Sequence, residues 1–262
     1  MPFFLRRLIA LPRARPVATN ETIALRLPDG TQIELLRVRH PRARRIKLSV
    51  SERGVRLTLP MRASLRTADA FMHEHVAWIA LQLPRWSASS KIAAFGRDCE
   101  TLPLRGENIP LRWEAGRYAR VRRDEQGVVM VLPATANDAV ARRALKEFYL
   151  AEARADIGRW LPKYLPALPR APTTIRLRPM SSLWGSLSAR DALSLDLALV
   201  LGKPAAFEYV LVHELCHLLQ RNHKRAFWRE VEARGADWRA ERDYFRDEGA
   251  ALKASLRRLI AP

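Results

Sequence analysis

Apolar and polar residues alternate along much of the first half of the chain. Ile33, Leu35, Leu36 and Val38, then Ile46, Leu48 and Val50, then Val55, Leu57 and Leu59 recur at nearly every second position, the spacing of half-buried strands. Asp29-Gly30 predicts a hairpin before the first run, Glu52-Arg53-Gly54 separates the last two, and Gln126-Gly127 marks a later turn. One helix interrupts the strands: Thr67 can cap a segment holding Ala70, Phe71, Val76, Trp78, Ile79 and Leu83, ended by Pro84. From Asn137 the period changes. Asn137-Asp138 precedes a long helix with Val140, Ala144, Leu145, Phe148, Leu150 and Ile157 on or near one face, closed by prolines at 162, 166 and 169. Two strands, 174–177 and 193–199, bracket a loop from Met180 to Ser186. A further helix begins at Pro204, which suits a first helical position, and runs through Leu219. Residues 226–260 read as helix with a break near Gly235, and no internal repeat is visible. The two regimes predict an α+β protein with a tail at 1–20, a β-rich domain with one helix at 21–133 and a second domain at 134–262.

The helix after Pro204 carries the sharpest chemistry. His213-Glu214-Leu215-Cys216-His217 stacks two imidazoles on one face, within reach of one metal ion, and sets Glu214 beside them to take a proton from water. Val210, Leu211, Val212, Leu215, Cys216, Leu218 and Leu219 make this helix apolar nearly all round and hence buried, where three polar side chains are costly unless a metal satisfies them. A single Zn2+, or another divalent ion, needs a third protein ligand. His223, six positions after His217, lies where the chain can leave the helix and turn back, and Asn222 tolerates the left-handed backbone of a reversal. Glu230, Glu232 and Glu241 are alternatives. Metzincin peptidases share the spacing, but Gln220 stands where they have glycine and no methionine follows Met180.

Other groups add less. His73 and His75 point about 200° apart on a helix and do not share a metal; His40 belongs to a basic stretch. Trp184 reads as a core anchor or as a substrate-facing ring, Ser182 and Ser186 as groups able to bond substrate, and Phe227 with Trp228 as packing beneath the metal site. Cys99 and Cys216 lie far apart with no CxxC spacing, so neither a disulfide framework nor a cysteine zinc knuckle is indicated, which suits a reducing compartment.

Trp184-Gly185-Ser186, the following strand, Tyr209-Val210-Leu211-Val212 running into the histidine motif, Asn222-His223 and Phe227-Trp228 together resemble the YgjP-like metal-dependent hydrolases, zincin-type proteins related to the SprT and WLM metallopeptidase domains. The basic run Arg42-Ala43-Arg44-Arg45 with the strand after it, residues 55–60, and Trp78-Ile79 extend the similarity over most of residues 30–245. The resemblance implies a zincin-like catalytic domain at 134–262, with His213, His217 and His223 as zinc ligands and Glu214 as general base. Two positions depart from the pattern. Leu187 replaces a frequent cysteine, so any role of that cysteine is absent, and Lys224 replaces a serine and sets a cation next to the site; with Trp184 and Ser186 it is a candidate substrate contact.

Charge complicates the choice of substrate. The chain has 46 basic and 27 acidic residues, net +19, and 39 of the basic ones are arginine, which suggests phosphate partners. The excess is not in the motif segment: residues 1–50 hold 11 basic and 3 acidic groups, net +8, whereas 205–250 hold 8 and 9, net −1. A nucleotide or nucleic acid would therefore be met through the basic N-terminal domain. The leading expectation is a zinc metallopeptidase acting on a peptide or protein. The alternatives are a nucleotide phosphoanhydride pyrophosphohydrolase, a nucleic-acid-associated SprT-like protease, and a module with a purely structural metal, which would not need Glu214. The strand at 193–199 is expected at a sheet edge, open to an added peptide. No uncharged apolar run approaches the roughly 18–20 residues of a membrane span. The basic tail fits a cytoplasmic protein, although a mitochondrial-type presequence has the same composition.

Overall fold

The computed structural model describes residues 18–51, 54–87, 95–235 and 237–261. Most of the expected tail lies outside the described residues, and its last two members already belong to the first strand. The chain divides into two compact units, Met1–Pro84 and Arg85–Pro262.

In the first unit, β1 (Thr19–Arg26) and β2 (Gln32–Arg39) form an antiparallel hairpin whose turn needs Gly30 at φ +86°. β3 (Lys47–Ser51) and β4 (Gly54–Leu59) complete a sheet of order β1-β2-β4-β3, in which β2 and β4 run parallel. The alternating positions behave as their period demands: Leu25, Leu35, Val55, Leu57 and Leu59 are buried and pack with Ala68, Met72 and Ile79 from two helices, α1 (Leu65–Glu74) and α2 (Val76–Ser87). One helix was expected here. It breaks at His75 because the ring Nδ1 bonds the Phe71 carbonyl at 2.8 Å, the acceptor that the His75 N–H would use in a continuous helix, and that N–H turns to Met72 instead. Pro84 lies inside α2 and does not end it.

The second unit starts with β5 (Thr101–Leu104), β6 (Glu107–Ala115), β7 (Arg120–Asp124) and β8 (Gly127–Leu132), in order β5-β6-β8-β7. β8 is buried along its whole length. The long helix α3 (Asp138–Tyr164) starts at Asn137, whose side chain accepts from the Val140 N–H, as its sequence predicted. Then come β9 (Thr174–Arg178), β10 (Gly185–Leu187) and β11 (Ala192–Asp196), a 3₁₀ turn over Leu197–Leu201, and helices α4 (Pro204–Cys216), α5 (Arg225–Glu232) and α6 (Trp238–Ile260). Gly235, at φ +75°, lies in the break between the last two.

Among the described residues, three sheets and six helices make the fold α+β. The division between compact units falls earlier than the boundary expected at 133/134, for a reason of packing. Leu102, Leu104, Val128 and Met130 of the β5–β8 sheet share one core with Leu145 and Tyr149 of α3 and with Phe207, Leu211 and Leu215 of α4. In the small sheet β11 is central, between β10 and β9, so the open edge expected at 193–199 is covered on both sides. That strand also ends sooner than its apolar run, because the Asp196 side chain accepts from the Ala198 N–H at 3.0 Å and starts the 3₁₀ turn. Among the described residues, no helix is long and apolar enough to cross a membrane.

Gly127 joins β7 to β8 at φ +135°, and a Cβ there would lie 2.4 Å from the Pro110 carbonyl oxygen. Gly127→Ala should therefore lower stability by about 1–3 kcal/mol, read as a shifted urea midpoint at unchanged m-value.

Candidate metal centre

α4 is buried on nearly every side through Ala206, Phe207, Tyr209, Val210, Leu211, Val212, Leu215 and Cys216. Its polar groups gather at the C-terminal end. His213 occupies the last turn and His217 the C-cap, where the helix tightens: the N–H groups of Leu218 and Leu219 bond three residues back, and that of Gln220 bonds Cys216. The helix thus ends three residues before the predicted Leu219. The chain then folds back, and His223 arrives with its Nε2 at 3.0 Å from Nε2 of His213. One nitrogen from each of His213, His217 and His223 lies within 4.8 Å of the others, and no further group among the described residues joins this cluster. Glu230, Glu232 and Glu241 are engaged elsewhere, in ion pairs with Arg234, Arg239 and Lys203.

These donors suit a divalent ion of the zinc type. His217 Nδ1 must donate to the Gln220 carbonyl, 3.0 Å away, so its Nε2 keeps the lone pair a metal requires. Zn–N bonds of about 2.0–2.1 Å in a tetrahedron place two nitrogens roughly 3.3 Å apart, near the His213–His223 spacing. Burial drives His213 down to about 3, with His217, His223 and Arg242 adding to the effect, and His217 is likewise lowered, first by burial. Neutral imidazoles are the form that ligates. Phe227, fully buried on α5, supports all three rings: it stacks on His217 at 4.6 Å between centroids and meets His213 and His223 edge-on at 4.8 and 4.7 Å.

Glu214 is 6% exposed, and burial pushes its carboxyl up to about 7 against the opposing backbone bond from Leu187. The wall it leans on is β10. A Cβ on Gly185 would meet Glu214 Cγ at 2.6 Å and Oε1 at 2.7 Å, so only glycine allows the strand this close to the carboxylate.

A family model, YgjP-like metallopeptidase domain, matches residues 44–248, most of the chain. The chain belongs to the YgjP-like family. No curated protein and no solved structure matches it. A YgjP-like chain is a hydrolase of the metallopeptidase kind, whose members imply a divalent metal, usually zinc, and protein or peptide substrates.

The other expected site residues are placed as follows in this YgjP-like chain. Trp184 is half-buried, tilted against Phe245 at 4.5 Å, with Lys253 Nζ 4.1 Å from its ring centroid and Gly249 in close contact below. It anchors the loop. Ser186 lies on β10 opposite Ser194, one residue from Gly185, and Lys224 is exposed at the start of α5, its N–H bonded to Asn222 Oδ1. Three residues on which the site leans went unpredicted. Tyr209, one turn before His213, has its hydroxyl 3.5 Å from His213 Nδ1, an i,i+4 relation that the sequence does display. Arg221, in the turn before His223, bonds the Ser188 carbonyl at 2.9 Å and the Asp191 carboxylate, tying that turn to the β10–β11 hairpin. Buried Lys253 on α6 donates to the Met180 carbonyl at 3.1 Å, to the Leu183 carbonyl at 2.8 Å and to buried Asp196, fixing both ends of the loop that leads into Gly185.

Breaking that buried pair from one side should be severe. Lys253→Met keeps the volume but strands Asp196, and a loss of about 3–5 kcal/mol is expected in urea unfolding.

Proposed function

We propose that the protein is a zinc-dependent peptidase in which His213, His217 and His223 hold the metal and Glu214 is the general base. The observation that carries this reading is the convergence of three imidazole nitrogens within 4.8 Å at the open end of a buried helix, next to a buried carboxylate. The family match favours a peptide over a nucleotide as substrate.

When bound, zinc supplies a Lewis acid for a peptide carbonyl and acidifies water toward neutrality. The protein's own groups do the rest. Glu214 accepts a proton from the water that attacks the scissile carbonyl carbon and returns it to the departing amine nitrogen as the C–N bond breaks. Gly185 and the backbone of β10 exclude bulk water from one side of that carboxylate, which keeps its oxygens directed at the reacting centre. Phe227 and Tyr209 hold the imidazole planes. Lys224, exposed and next in sequence to His223, is the side chain assigned to a bound peptide, whereas Ser186, the residue after Gly185 on β10, turns its side chain to the face opposite the one that Gly185 presents to Glu214.

Three outcomes test the reading. Purified protein with its metal quantified should cleave members of a peptide pool and leave a nucleotide panel intact; cleavage of nucleotides alone would reject it. Glu214→Gln should retain stoichiometric zinc while turnover falls by about 10²–10⁴-fold. His223→Ala should lose most of its zinc under dialysis, and full retention would mean that a different third ligand operates.

A further inference from the structure

The small sheet has two edges. β10 faces Glu214, whereas β9 pairs only with β11, in parallel, and its outer edge has no strand partner among the described residues. Alternate residues of a strand paired on one side only direct their N–H and C=O groups outward, and such an edge accepts a further strand unless something covers it. Here it opens onto a groove of about 610 Å3 whose opposite wall is one face of α3, formed by Arg154, Ile157 and Gly158.

Two features of the groove point to an occupant. Gly158 stands in the interior of a 27-residue helix, where glycine costs about 1 kcal/mol relative to alanine. Nothing in the structure requires it: a Cβ there would meet open space. Its effect is to lower the helix wall opposite β9 by one side chain, which leaves room for a backbone. The second feature is charge. Arg154, Arg176 and Arg178 ring the groove, all exposed, and none of them forms an ion pair with another described residue. Along β9 the arginines alternate with half-buried Ile175 and Leu177, so one face of the edge is cationic and the other apolar.

We propose that the outer edge of β9 binds an extended acidic peptide segment, which adds to the sheet as a fourth strand. Its backbone bonds the free edge, its carboxylates at alternate positions pair with Arg176 and Arg178 on one face and with Arg154 across the groove, and its intervening apolar side chains cover Ile175 and Leu177. Neither the imidazole cluster nor Glu214 lines this groove, so the proposal stands apart from the peptidase reading. A nucleic acid strand would use the arginines but not the edge N–H groups or the apolar face.

The test uses the full chain and a fluorophore-labelled eight-residue peptide in which glutamate alternates with valine, followed by anisotropy at low salt. Saturable binding is expected, weakened at least tenfold when lysine replaces glutamate and at least tenfold when alternate peptide nitrogens are methylated. Gly158→Trp, which fills the groove, should abolish binding with its helical circular dichroism unchanged. Arg176→Glu, an exposed change that leaves folding intact, should weaken binding at least tenfold. No binding of the glutamate peptide, equal binding of the methylated peptide, or unaltered binding by both variants would overturn the proposal. A single-stranded oligonucleotide that binds in place of the peptide would overturn it in favour of nucleic acid.

Discussion

The site depends on an apolar helix that must be buried on almost every side yet end in polar groups that remain accessible. α4 resolves the conflict by position: its body carries Phe207, Leu211 and Leu215 into the core of the second unit, and its polar residues are confined to the last turn and the cap. Desolvation there does two things at once. It keeps His213 and His217 neutral and so able to donate lone pairs, and it makes Glu214 a reluctant anion. Both follow first from the same apolar surroundings, with Arg242 adding to the effect on His213 and Arg221 to that on His217.

The rest of the unit supports that end from three directions. From α5, Phe227 sets a common floor under the imidazoles. From the small sheet, β10 closes over Glu214 at a distance that only a glycine permits. From α6, Lys253 and Gly249 hold the loop and Trp184 that lead into β10. The hairpin tip adds a fourth tie, in which Asp191 is bridged to Arg170 and to Arg221 in the turn before His223; these bonds, with Arg170 the stronger influence, hold its carboxyl below the usual carboxylate range.

What could be read from the residues was local. Alternation located β2, β3 and β4, the cap at Asn137 located α3, and the spacing of three histidines located a cluster that the fold does bring together. What escaped depended on contacts distant in sequence or on competition within a turn. The break at His75 arises from one ring nitrogen taking a backbone carbonyl, which no periodicity reveals. β10 is three residues long, too short for a pattern, and β11 stops early because an aspartate caps the turn after it. The compact units divide at 84/85 because a sheet that looks like the continuation of the N-terminal strands buries its apolar face against α3 and α4. Trp184 and Lys253 meet across 69 positions, and neither residue type alone announces the other.

The same separation divides the site between near and distant parts of the chain. His213, His217 and His223 fall within one short stretch of the chain, on α4 and in the turn that follows it. Lys253 lies 30 positions after His223, yet it supplies the anchor of the loop before Gly185 and the counter-charge of buried Asp196. The imidazole donors thus lie within eleven consecutive positions, whereas the enclosure of the base rests on a residue 30 positions further on.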